Sequence, residues 1–117
     1  MLNRDQILEA ADLTTEVVAV PEWGGEVIVS AMTGAARDAW EQSLVVAVGG
    51  KARANMENIR ARLVVATVVD ESGNRLFADA DVVALGRKSS AALERVCRAA
   101  QRLNGLTQAD VESLKGN

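Results

Sequence analysis

Two rhythms of apolar spacing run along the chain, one helical and one extended. Arg4–Ala10 carries a short helical pattern. Asn3 stands before it as an acceptor for an early backbone N–H, with Gln6 at the capping-box position. A helix this short is not stable in water without docking. Residues from Thr14 to Ala31 predict a β-hairpin. Val17–Val20 and Val27–Val29 are its β-rich arms, and Pro21-Glu22-Trp23-Gly24-Gly25 supplies the stop and two residues tolerant of positive φ. In the second arm Val27, Val29 and Ala31 share the better core face, opposite Glu26, Ile28 and Ser30.

The spacing then becomes helical. Thr33 is placed as an N-cap, and Ala36, Trp40 and Leu44 recur on one stripe. This helix is expected to run on to the Gly49-Gly50 pair, with a loop over 49–55. The next stretch is ambiguous. Met56, Ile59, Leu63 and Ala66 form a helical stripe, whereas Val64, Val65, Thr67, Val68 and Val69 are β-branched. Asp70-Glu71-Ser72-Gly73-Asn74 is turn chemistry, after which Arg75-Leu76-Phe77 can pair back. A second hairpin over about Arg62–Phe77 is the expectation, with a continuous helix to Val69 as the alternative. Asp79 is placed to cap a short helix that Gly86 ends. Ser89 is placed to cap a longer one whose stripe is Leu93, Val96, Cys97, Ala100 and Leu103. Asn104-Gly105 is a stop signal, and Thr107 opens a last short helix. Together these elements predict an α+β fold: two β-hairpins forming a small antiparallel sheet, packed with about four to five short helices, in a single domain over 1–117.

Composition narrows the chemistry. The chain of 117 residues has no histidine, one cysteine and a net charge of −3. Imidazole-based acid/base and nucleophilic catalysis are excluded, as is an internal disulfide. The acidic balance argues against a nucleic-acid partner. No apolar run approaches the roughly 18 to 20 residues of a membrane span, and Asp5 and Glu9 stand where a signal peptide needs an apolar core. No cofactor, no metal and no catalytic residue is expected. Gly49-Gly50-Lys51 lacks the spacing of a phosphate loop, and Ala52 follows the lysine where Ser or Thr is needed. Residues 70–74 lack the ligand pattern of a calcium loop. Asp79 and Asp81 read as helix-start residues and Cys97 as a buried thiol. Lys51, Arg53, Arg60 and Arg62 read as a solvated, partly paired face. Trp23, at the hairpin tip, either folds back over Val20 and Ile28 or anchors a partner. Trp23, Val20 and Ile28 are therefore the candidate partner-binding residues.

Read as a whole, the chain resembles the tail assembly chaperones of long-tailed bacteriophages and prophages. The likeness rests on Leu2-Asn3-Arg4-Asp5-Gln6-Ile7-Leu8 and on Glu16-Val17-Val18-Ala19-Val20-Pro21-Glu22-Trp23-Gly24-Gly25-Glu26-Val27. It continues in Met32-Thr33-Gly34-Ala35-Ala36-Arg37-Asp38-Ala39-Trp40-Glu41, in Asn58–Leu63, and through Asp70 and Gly73 to Arg75-Leu76-Phe77. Ala99-Ala100-Gln101-Arg102-Leu103-Asn104-Gly105-Leu106 completes it. Val45–Asn55 departs from the pattern, which implies a longer or more mobile loop there. The resemblance implies a non-catalytic helper in the host bacterial cytoplasm, absent from the mature virion. Such a helper binds the tape-measure protein, keeps it soluble and helps recruit the tail-tube protein. A homo-oligomer would multiply weak contacts. The resemblance also implies a longer product made by programmed frameshift. The residues Lys115-Gly116-Asn117 are compatible with the slippery codons AAG-GGA-AAC. A structural virion protein, such as a connector or tail completion subunit, is the alternative.

Overall fold

The structure, a computed structural model, describes residues 1–106. The helix expected from Thr107 and the Lys115–Asn117 tail lie outside the described residues. Helix α1 (Arg4–Glu9) opens the chain behind the expected capping box: Gln6 N–H donates to Asn3 Oδ1 at 2.9 Å, and Asn3 N–H donates to Gln6 Oε1 at 3.0 Å. Strands β1 (Thr15–Val20) and β2 (Gly25–Ser30) form the predicted hairpin. A 3-10 turn over Pro21–Trp23 joins them, and Gly24 leaves it at φ +75°. Helix α2 (Gly34–Ser43) follows, capped by Thr33, whose Oγ1 accepts from Ala36 N–H at 3.0 Å.

Two stretches differ from expectation. Helix α2 stops at Ser43, and Val45–Val48 and Lys51–Ala54 are strands β3 and β4 of a second, separate hairpin. Gly49 and Gly50 both take positive φ, +59° and +78°, as a tight two-residue hairpin turn demands. The expected hairpin over Arg62–Phe77 is corrected: Ile59–Thr67 is helix α3, and only Val68–Val69 is strand, β5. Ala61, Leu63, Val64, Val65 and Thr67 are all buried. Burial on several sides of α3 therefore outweighs the modest β preference of its valines. The turn and the return pairing survive: Asp70 Oδ1 accepts from Ser72 and Asn74 N–H, and Val69 bridges Arg75. Helix α4 (Val82–Gly86) follows a 3-10 turn that Asp81, rather than Asp79, caps by accepting from Ala78 N–H at 2.8 Å. Helix α5 (Ser90–Leu103) is capped by Ser89 as predicted.

The architecture is α+β. The strands β1-β2-β5 form one antiparallel sheet, with Val17 opposite Ile28 and Ile28 opposite Val69. Helix α5 lies across its inner face and against α3. Val20 and Val29 from the sheet meet Val64 and Val68 and the Leu93, Val96 and Ala100 stripe of α5 in one buried cluster, which Trp40 and Leu44 of the α2 end join. Three ion pairs fasten α5 to its surroundings: Arg102 to Glu16 of β1 at 2.9 Å, Arg95 to Glu22 of the 3-10 turn at 2.8 Å, and Arg60 of α3 to Glu94 at 2.8 Å. Asn104 closes its end, accepting from Met32 N–H at 2.7 Å and donating to Ala100 C=O at 2.8 Å.

Candidate functional site

The sheet separates the three residues that the sequence groups. Side chains at paired positions share a face, so Val20 points inward with Val18 and Val29, while Ile28 points outward with Val17 and Val69. Val20 is fully buried and presents no surface to a partner; it supports the turn from within. Trp23 is half-buried against the inner cluster, on the side where Arg95 of α5 holds Glu22. A hydrogen bond that the Glu22 carboxylate accepts from its own backbone N–H, followed by the bond from Arg95, holds the carboxyl below its ordinary value near 4.5. Trp23 therefore cannot cover both Val20 and Ile28, which lie on opposite sides of the sheet.

The uncovered apolar surface lies mostly elsewhere. No residue of α1 is buried, and Leu2, Ile7 and Leu8 are 73%, 55% and 65% exposed. Sequence reasoning named none of them as site residues. The available signal is a capped helix carrying the Ile7-Leu8 pair and too short to persist undocked. On the outer sheet face Val17 and the nearby Leu76 are also exposed. The β3–β4 hairpin exposes Val45, Val46 and Val48. Single exposed apolar residues are ordinary, but grouped ones mark contact surfaces.

Arg62 holds the base of that hairpin. Its Nη1 donates to the carbonyl of Ser43, at the end of α2, and to Ser43 Oγ at 3.0 Å. Its Nη2 donates to Asn55 C=O, just past β4, and its Nε to Glu57 C=O at 3.0 Å. Desolvation lowers the guanidinium's pKa, opposed by the charge of Glu57. Arg60 instead pairs with Glu94, which raises its pKa. The four cations read together in the sequence are thus divided: Arg60 and Arg62 serve the fold, and Lys51 and Arg53 stand on the exposed hairpin.

The remaining candidates resolve into structural roles. Asp79 pairs with Arg75 at 2.7 Å. Cys97 is buried, its Sγ 3.4 Å from Arg60 C=O, and burial pushes its thiol up to about 12. Trp40 floors a groove of about 430 Å³ between α2 and α3, and its buried Nε1–H has no hydrogen-bond partner. Among the described residues no group of three or more Cys, Asp or Glu is placed to hold a metal ion, and no helix is long and apolar enough to cross a membrane.

Residues 4–115 match the profile of a family described as "Phage tail assembly chaperone". A solved structure, that of the bacteriophage HK97 tail assembly chaperone, is similar in fold with a TM-score of 0.59. The likeness covers 89% of this chain and 95% of that one at 20% sequence identity. No curated protein matches.

Proposed function

Since the chain belongs to the phage tail assembly chaperone family, we propose that it captures the tape-measure protein of its phage, keeps that long helical rod soluble, and helps recruit tail-tube subunits around it. The observation that supports this reading is the chain's opening: α1, a capped helix whose Ile7 and Leu8 are left in solvent, with Leu2 exposed just before it. A free amphipathic turn of this kind is suited to lie along a helical client. Trp23 contributes its exposed part from the hairpin tip. Many copies along one rod turn weak contacts into retention by avidity, which is the role of homo-oligomerisation here. The work is done in the host bacterial cytoplasm without catalysis, cofactor, nucleic acid or membrane, and the protein leaves before the virion is complete. A frameshifted longer product belongs to the same reading. It requires a GGG triplet followed by AAA in the codons for Lys115–Asn117.

Co-expression with the tape-measure protein tests the proposal. The wild-type chain should keep the client in the soluble fraction and co-purify with it. The Ile7→Asp/Leu8→Asp variant should retain at least tenfold less client. Its stability should shift only by the few tenths of a kcal/mol usual for surface changes. Trp23→Ala should weaken capture more than it lowers Tm; the reverse would make Trp23 a core residue. A client that stays insoluble with the wild-type chain overturns the reading. Stoichiometric presence of the chain in purified virions would mark a structural protein.

A further inference from the structure

The β3–β4 hairpin has a face with a distinct chemistry. Register pairs Val46 with Arg53 and Val48 with Lys51, so these four side chains share one side of the two-stranded sheet. Val46 and Val48 are 42% and 56% exposed. Lys51 and Arg53 have no ion-pair partner among the described residues. A two-stranded hairpin with no covered face is marginal by itself, so this one needs an occupant.

The outer face of the β1-β2-β5 sheet has the opposite character. Val17, Ile28 and Val69 lie side by side across its three strands, and Leu76 extends the row. Glu26, Asp70 and Glu71 rim the shallow groove of about 790 Å³ over this row, and no Lys or Arg lines it. A valine pair flanked by two cations thus complements an apolar row flanked by carboxylates, and both surfaces belong to one chain. We propose that the Val46/Val48/Lys51/Arg53 face of one copy docks on the outer sheet face of the next. This deepens the homo-oligomerisation put forward above and rests on that reading. Donor and acceptor are different surfaces, so the contact is head-to-tail and repeats from copy to copy. The apolar row excludes water at the centre of the contact, and the charges fix its orientation.

Sedimentation velocity of the full chain at low salt, over a range of concentrations, tests the contact. The wild-type chain should self-associate. Lys51→Glu/Arg53→Glu and Glu26→Lys/Glu71→Lys should each weaken association at least tenfold with unchanged thermal melting. An equimolar mixture of the two variants should recover it, because each reversed hairpin then meets an opposite sheet face. Wild-type association in either variant alone, or no recovery on mixing, overturns the proposal. A wild-type chain that stays monomeric yet holds the tape-measure protein overturns this contact and leaves client capture standing. Loss of client capture in the Lys51→Glu/Arg53→Glu variant of such a monomer would assign the hairpin to the client instead.

Discussion

Cys97 is the chain's one thiol, and its surroundings decide what it can do. It sits on the buried stripe of α5 with Leu93, Val96 and Ala100, where desolvation, reinforced by the charge of Glu94, raises its pKa to about 12. The thiolate is the reactive form, so the native protein should resist iodoacetamide at neutral pH and react promptly once denatured. Fast labelling of the folded chain would mean that α5 opens or packs differently. The sign of the pH effect follows. In the unfolded chain the thiol ionises near its ordinary value of 9, while in the fold it stays protonated, so stability falls as pH rises from about 9 towards 12. This residue was legible in the sequence because helical periodicity alone places it inside. The grouping of Trp23, Val20 and Ile28 was only half legible. Hairpin register assigns Val20 and Ile28 to opposite faces, but it does not say which way the tip tryptophan turns. The Glu22–Arg95 pair, which joins residues far apart in sequence, accompanies its inward placement.

At the scale of elements, local signals succeeded where local chemistry decides. Asn3, Thr33 and Ser89 all cap the helices they were assigned to, and α5 follows its stripe. The local signals divide at α3, where the Ile59, Leu63 and Ala66 stripe competes with β-branched residues; burial on several sides settles it for the helical alternative, which ends at Thr67. Local signals also mislead at β3–β4, where Val45–Val48 continue the apolar run of α2 and the glycine pair has the look of a helix stop. What separates α2 from that hairpin in the fold is Arg62, a residue the sequence offered only as part of a basic cluster. Its guanidinium gathers acceptors from Ser43, Asn55 and Glu57 in one fork. Ser43 C=O keeps a second donor in Asn55 Nδ2, but Arg62→Ala should leave the Asn55 carbonyl short of one at a cost of roughly 1–3 kcal/mol, and should open residues 45–54 to limited proteolysis. Arg62→Lys should recover little, because a single ammonium cannot reproduce the planar fork. Unchanged urea midpoints and cleavage patterns would show that the hairpin is anchored some other way.

For the whole molecule, the question is which forces hold the fold and which hold its contacts. The ion pairs that fasten α5, Arg102–Glu16, Arg95–Glu22 and Arg60–Glu94, all involve solvent-exposed groups, and water and salt screen such pairs until they add little net stability. The buried cluster around Val29, Val64 and Val96 carries the fold, and salt does not screen apolar burial. The proposed hairpin-to-sheet contact would set Lys51 and Arg53 against Glu26 and Glu71 across a small apolar patch, so it should be far more sensitive to salt. Raising sodium chloride from low to high concentration should therefore leave Tm nearly constant while dissociating the oligomer. A parallel loss of both would place electrostatics at the centre of the fold. Acid separates the two again. Because the Glu22 carboxyl is held below 4.5, its contribution is complete above that pH and is lost as pH falls through its lowered value. Glu22→Gln should accordingly lower Tm slightly at neutral pH, where the charged pair is lost, leave it unchanged in acid, and so flatten the decline below pH 4.5. Since Glu22 lies outside the proposed docking contact, the same substitution should leave any oligomer intact, so stability and assembly can be varied independently.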